Sequence, residues 1–504
     1  MAFETSNFYV GKKYPLSKGE FSVECNIGTG ESVTKILSVC LGTGKIVSET
    51  LNGVVNFSGN VDVKLVYLGQ DGQIGTVCST CPFSSKFEDE KIENGQKADV
   101  YVKIIDYNIE SIGGESVKLV VNLQQTGFIL ASKEIRTIKN EDENVCFKNE
   151  DIKIIRFIGS ASEEVEVTSE FNVRDKITRI LISESNAIIK SVESGSNFVV
   201  VSGEVSSRVV YLNDNDKFES GYVYDTFKEE IELDGVTRES LACGSVCVKQ
   251  ESVSCEIVED EKGCKISIKV PLCISVSAFN EETMSVIKDL YSTKCETKVT
   301  TESFDMSCPC PLEIVEGKIE GSLTLDEDKP RVDKIIFSGG NSVIVTNSYI
   351  NDGEVFIEGI AKTTVVYLND EDNSLYSVQI DVPFTLSDKF TYQEGGILVV
   401  EAVVGDVDVS VRKGRELFYD AKVKASVNYC YDLVGGIISE AEELDEYPPK
   451  DYAMEVIFAH SGDELWDVAK YSKVTEAQVI SQNSDVSFPL TEDTSLILFY
   501  QRVN

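Results

Sequence analysis

The chain has 504 residues, with 85 acidic against 47 basic side chains and a net charge of −38. Its 42% hydrophobic content, with 23 Phe and 20 Tyr, excludes a disordered chain and supports several packed domains of roughly 100–200 residues each. The acidity excludes nucleic acid and anionic lipid as partners, since those need clustered Lys and Arg, and it favours a basic or neutral partner besides keeping the chain soluble.

The opening Met-Ala-Phe-Glu-Thr-Ser-Asn-Phe leads into no apolar run of the kind a secretion signal carries. No stretch reaches the roughly 18 apolar residues of a membrane span. A cytoplasmic protein is expected.

The first strong pattern is an internal repeat. Residues 54–68 read VVNFSGNVDVKLVYL, residues 198–212 read FVVVSGEVSSRVVYL and residues 354–368 read EVFIEGIAKTTVVYL. Each places a Gly eight positions before a Tyr: Gly59/Tyr67, Gly203/Tyr211 and Gly359/Tyr367, with Tyr-to-Tyr periods of 144 and 156 residues. Such a period is domain-sized. About 24 residues before each Gly stands a basic-apolar entry, Lys35-Ile36-Leu37, Arg179-Ile180-Leu181 and Lys334-Ile335-Ile336. Some 16 residues after each Tyr comes Phe83, Phe227 or Phe384, preceded by Pro82, Thr226 or Pro383.

Val61, Val63, Leu65 and Tyr67 alternate with Asp62, Lys64 and Val66, which predicts a strand with one buried face. In copies two and three the Val-Val-Tyr-Leu ending is apolar on both faces, which predicts a central strand. Gly69-Gln-Asp-Gly72, Asn213-Asp-Asn-Asp216 and Asn369-Asp-Glu-Asp-Asn373 follow as hairpin turns, because Asn, Asp and Gly accept the backbone angles required. The second halves, such as Asp99–Ile109, Lys118–Leu123, Cys264–Val276 and Ile397–Val411, also read as strands. The fold class is therefore mainly β, with three sandwich- or barrel-like repeats.

Of the 14 Cys, several lie in apolar strand-like runs and read as small buried hydrophobes. The pairs Cys78/Cys81 and Cys308/Cys310 fall in different repeats, so four converging zinc ligands are not expected and no metal is assigned. The single His, His460, offers no nucleophile–base set, and no Gly-Lys-Ser/Thr phosphate loop is present. No catalytic or cofactor-binding residue is assigned. The chain is not expected to be an enzyme.

The Gly-x7-Tyr strand, with its Ile-Leu entry and following Pro-Phe, resembles the SPOCS domain of clostridial and bacillar spore-coat morphogenetic proteins. The resemblance covers nearly everything before residue 446. It places the repeats at 1–140, 141–300 and 301–438.

The acidic run Ser439-Glu-Ala-Glu-Glu-Leu-Asp-Glu-Tyr-Pro-Pro-Lys-Asp451 reads as a solvated linker over 439–452. A separate module over 453–504 follows. Glu455–Ala459 is a short strand. Leu465, Val468 and Ala469 share a helix face, with Ser461 or Asp463 as its cap. Thr475 and Gln478 form a capping box, Val474 and Val479 a hydrophobic staple, and Val479 and Ile480 face the core. Asn483 ends this second helix, and Pro489-Leu490 leads to a last strand, Ser495–Tyr500. The order is β-α-α-β.

Gly462-Asp463-x-Leu465-Trp466-x-Val468-Ala469, with Val474, Val479, Asn483, Pro489-Leu490 and Leu496-Ile497, resembles a LysM domain. The family's Gly-Gln turn before the last strand is here Glu492-Asp493-Thr494-Ser495, which puts two carboxylates beside the groove. The resemblance implies a binding surface made of Gly462, Asp463, Glu464, Leu465, Trp466, Asn483, Pro489 and Leu490. LysM modules commonly bind N-acetylglucosamine polymers such as peptidoglycan. This one carries 8 Asp or Glu against 2 Lys over 453–501, so docking on a protein is weighed above binding a glycan.

Together the two resemblances imply a mother-cell scaffold at the forespore surface, with three units forming an extended acidic body. The implied partner is the coat-basement morphogenetic ATPase. A peptidoglycan-binding protein and a self-assembling coat or appendage subunit with pairing edge strands are the alternatives.

Overall fold

A computed structural model describes residues 3–500 apart from 140–143, 174, 216, 261–262, 373 and 393–394. Alternation of apolar and polar residues sets the architecture, because a period of two presents one face of each strand to a core. The first repeat holds β1 (Thr5–Pro15), β2 (Gly19–Gly28), β3 (Val33–Thr43), β4 (Val47–Leu51), β5 (Val54–Gly69), β6 (Ile74–Glu88), β7 (Lys97–Gly113) and β8 (Ser116–Ile138). One sheet centres on β5, flanked by β3 and β4 on one edge and β6 on the other. The second centres on β8, flanked by β1 and β2 on one edge and β7 on the other. The inner faces of the two sheets form one core, with Val55, Phe57, Leu65 and Tyr67 from one and Leu119, Val121 and Leu123 from the other. This is a two-sheet sandwich.

The second repeat holds β9 (Val145–Val173), β10 (Ile177–Ser194), β11 (Phe198–Asn213), β12 (Phe218–Glu232), β13 (Leu241–Val248), β14 (Ser254–Asp260) and β15 (Gly263–Ser292). The third holds β16 (Cys295–Pro309), β17 (Glu313–Thr324), β18 (Val332–Asn351), β19 (Glu354–Asn369), β20 (Leu375–Lys389), β21 (Ile397–Arg412) and β22 (Glu416–Glu446). Each again packs one sheet, centred on β11 or β19, against another, centred on β15 or β22. One repeat-to-repeat difference is where the long edge is broken. It breaks between β1 and β2 and between β16 and β17, runs unbroken through β9, and breaks on the opposite edge between β13 and β14.

The sequence landmarks occupy the same register three times. Gly59, Gly203 and Gly359 lie opposite Phe83, Phe227 and Phe384. A Cβ on Gly203 would sit 2.3 Å from the Phe227 ring and 2.4 Å from the Ile188 carbonyl oxygen, so the ring fills the space a side chain would take. Ile36, Ile180 and Ile335 oppose Tyr67, Tyr211 and Tyr367. Immediately after each Ile the register shifts, a bulge at Leu37, Leu181 and Ile336.

Those bulged residues, with Val66, Val210 and Val366, pack into one shared cluster. The three sandwiches therefore meet around a common axis. A second junction lies where the ribbons β1·β8, β9·β15 and β16·β22 extend beyond their sandwiches. Phe8, Val10, Leu130, Ile154, Ile155, Phe279, Phe304, Met306 and Ile437 pack together there. Lys12 is buried at this junction and pairs at 2.6 Å with both Asp305 and Asp432. The body is closed about this axis and is not the extended array expected.

Between the three repeats lies a cavity of ≈ 690 Å³, reached by Lys64 and Lys103 of the first repeat, Ser183 and Cys247 of the second, and Thr364 and Glu401 of the third. Polar bonds cross between repeats along its wall. Lys64 Nζ donates to the Ser183 carbonyl and hydroxyl, each at 2.7 Å. Lys103 Nζ donates to the Val400 carbonyl at 2.8 Å. Glu184 Oε1 accepts from Cys40 Sγ at 2.8 Å and from Gly340 N at 2.5 Å.

Two expected boundaries shift. Strand β16 begins at Cys295, within the segment assigned to the second repeat, and β22 runs on to Glu446. Residues 439–446, read as linker, are therefore part of the third repeat's long strand, paired with β16, and Ser439 and Ala441 are buried.

Candidate docking surface

The C-terminal module consists of β23 (Met454–Ala459), α1 (Leu465–Ser472), α2 (Glu476–Gln482) and β24 (Thr494–Phe499), in the expected order. Ile457, Ala459, Leu496 and Leu498 point from the two-stranded sheet into a core completed by Val468, Ala469, Val474, Val479 and Leu490. Thr475 caps α2 by accepting from Gln478 N, as its position predicts. Among the hydrogen bonds of the described residues none returns from Thr475 N to Gln478, whose side-chain NH2 donates to the Phe499 carbonyl. The α1 cap is Glu464 and not Ser461 or Asp463, and it makes no side-chain cap bond. Ile480, expected in the core, is 51% exposed.

The residues assigned to a binding surface divide. Gly462, with φ +96, and Asp463 are stitched to the second loop: Gly462 N donates to the Leu490 carbonyl at 2.7 Å, and Leu490 N donates to the Asp463 carbonyl at 3.0 Å. Asp463 also accepts from His460 N at 2.8 Å. Asp493, one of the two unusual carboxylates, accepts from Ser461 N at 2.9 Å. Leu490 is buried, Pro489 is exposed and Leu465 is half-buried against the module core. Asn483 is buried and structural. Its amide accepts from Ile497 N at 2.8 Å and donates to the Ile497 carbonyl at 3.0 Å, pinning α2 to β24.

Trp466 faces neither groove nor solvent. It is 5% exposed, its Nε1 donates to Asp289 Oδ2 at 2.8 Å, and its ring meets Tyr291 edge-on at 5.0 Å. Asp289 and Tyr291 belong to β15 of the second repeat. Lys470 joins the same carboxylate at 2.6 Å, and Tyr291 donates to the Val474 carbonyl at 2.7 Å. Glu464 pairs with Lys148 of β9 at 2.7 Å. The α1 face is thus the module's attachment to the body. Burial works against ionisation of Asp289, but the bonds from Lys470 and Trp466 outweigh it and hold its pKa below the usual carboxylate value.

The opposite face of the module is open. Met454, Val456 and Phe458 on β23, with Ile497 and Phe499 on β24, are exposed, Phe458 by 77%. The register sets Met454 beside Phe499 and Val456 beside Ile497, so the five form one continuous apolar sheet face. Contiguous exposed apolar surface of this kind marks an interaction site. The sequence assigns none of these five to a binding surface. The signal was present: both strands are apolar at successive positions, as only a sheet covered on two sides should be.

Residues 331–412 match the family model described as SipL, SPOCS domain. The matched stretch spans the third repeat from β18 through β21. It marks the chain as sporulation-related. β3–β5–β6 and β10–β12 repeat the strand order and bulge positions of this SPOCS segment. No curated protein and no solved structure matches the chain. Among the described residues, no helix is long and apolar enough to cross a membrane.

Proposed function

We propose that this chain is a non-enzymatic morphogenetic scaffold of the spore coat, which docks on a coat-basement protein through the open sheet face of its LysM-like module. The observation that carries the reading is the pairing of the module's two sides. The helix side is committed to β15 by Trp466, while the sheet side presents Met454, Val456, Phe458, Ile497 and Phe499 to solvent. A module held rigidly by one face and apolar on the other suits a macromolecular partner. The net charge of −38 favours a partner with a basic rim. The basement-layer ATPase implied by the SPOCS resemblance is the protein to test. Glycan binding is less favoured, because two of the groove residues, Asn483 and Leu490, are buried in the module's own packing.

The test is a full-length chain carrying Val456→Asp and Phe458→Asp. Both side chains are solvent-facing, so the melting curve should stay unchanged while co-purification with the ATPase falls at least tenfold. Undiminished co-purification would refute the assignment. Retention on purified peptidoglycan by parent and variant alike would support the glycan alternative.

A further inference from the structure

The cavity between the repeats carries chemistry that a scaffold does not require. Strands β13 and β15 run antiparallel, and their register sets Cys247 directly opposite Cys273. Directly opposed residues of adjacent strands project to the same face with Cα atoms about 4.5–5.5 Å apart. That separation lies within the span a disulfide bridges. The two thiols are close enough to influence each other's ionisation, and both line the cavity. A second thiol pair, Cys25 on β2 and Cys81 on β6, also meets side chain to side chain. It lies within the sandwich core of the first repeat, among Val23, Val61, Val63 and Phe83, and is no part of the cavity wall. The molecule thus holds one dithiol that borders open space and one enclosed in packed apolar side chains.

We propose that Cys247 and Cys273 form a redox-responsive dithiol, converted to an intrachain disulfide by a small peroxide that enters the cavity. The thiolate is the reacting form of cysteine. The neighbouring Cys247 thiol lowers the Cys273 pKa to about 7 against the effect of its burial, with Lys45 and Lys249 adding to the lowering. The Cys273 thiolate attacks one oxygen of hydrogen peroxide. The O–O bond breaks, the departing hydroxide takes a proton to leave as water, and Cys273 becomes a sulfenic acid. The Cys247 sulfur then attacks the Cys273 sulfur. The S–O bond breaks, the S–S bond forms, and the second oxygen leaves as water, carrying the sulfenic acid's own hydrogen and the proton given up by Cys247. Two thiols lose two electrons to one peroxide, giving one disulfide and two waters.

The bond would tie β13 to β15 just ahead of the turn Gln250–Ser252, where Gln250 donates to the Ser185 carbonyl and Glu251 faces Asp62 of the first repeat. Oxidation would then stiffen a segment through which the second repeat meets the first.

The full chain, treated with one equivalent of hydrogen peroxide and then iodoacetamide, should yield a cross-linked peptide pair containing Cys247 and Cys273 in non-reducing mass mapping. Cys25 and Cys81 should remain alkylated monomers of the map. In Cys247→Ser the cross-link should vanish and Cys273 should become labelled by dimedone. Full alkylation of both residues after peroxide would overturn the proposal, as would oxidation of Cys25 and Cys81 ahead of them. Mapping of the unsubstituted protein decides the question even if the variant does not fold.

Discussion

At the scale of single residues, the repeat's landmarks are legible as a pattern and opaque as to cause. Gly-x7-Tyr stands out in the sequence, yet only the register shows that each Gly lies beneath a Phe from the next strand. Pairing between strands separated by a turn leaves no local mark at the Gly itself. Gly203→Ala must move both the Phe227 ring and the chain at Ile188, one of them backbone. Overpacking of this kind costs about 1–3 kcal/mol, and a lower urea midpoint should record it. In the tail module, helical periodicity correctly placed Val468 and Ala469 inside but assigned Ile480 to the core. A helix as short as α2 has room for one buried position, and Val479 takes it, fully enclosed. Val479→Ala removes two carbons, about 2 kcal/mol with the cavity left behind. Ile480→Ala should cost almost nothing. Hydrogen exchange at the β24 amides distinguishes the two.

At the scale of elements, the module's attachment and the end of the third repeat show why charge misleads. Glu440 and Glu442 point to solvent while Ser439 and Ala441 point inward. A period of two runs beneath the acidic composition that reads as linker. The attachment of α1 was invisible for a different reason: Asp289 and Trp466 are 177 positions apart, and neither position announces a partner. Since the folded pKa of Asp289 is depressed, its contribution is full above the unfolded value of about 4 and is lost as pH falls through the folded value. Trp466 is the single Trp, so its fluorescence reports this contact alone. Acidification below about pH 4 should shift its emission to the red before the body loses its β-sheet circular dichroism. Asp289→Asn should show the same shift at neutral pH. Emission that stays blue in that variant would mean that Tyr291 and packing hold the module without the carboxylate.

At the scale of the whole molecule, each sandwich follows from local alternation, whereas the closure of three sandwiches about an axis does not. The sequence carries one clue: the Val-Val-Tyr-Leu endings of β11 and β19 are apolar on both faces, and a strand at the surface of an isolated sandwich needs only one. The outer face of β5 carries Asp62, 3% exposed, against the second repeat. Burial first, and the neighbouring Glu251 second, push its pKa up to about 8. A carboxyl raised in the folded state keeps a proton that the unfolded chain gives up near pH 4. The folded state therefore binds more protons across that window, and stability falls as pH rises from about 4 towards 8. Glu401, raised to about 7 by burial in the same cavity wall, acts with the same sign. Asp62→Asn deletes the titrating group and keeps the shape. The variant should match the parent near pH 4 and exceed it by a margin that widens to pH 8, read as urea midpoints across that range. A margin that stays constant with pH would mean that the carboxyl is already ionised at the junction and that contacts elsewhere hold the first and second repeats together.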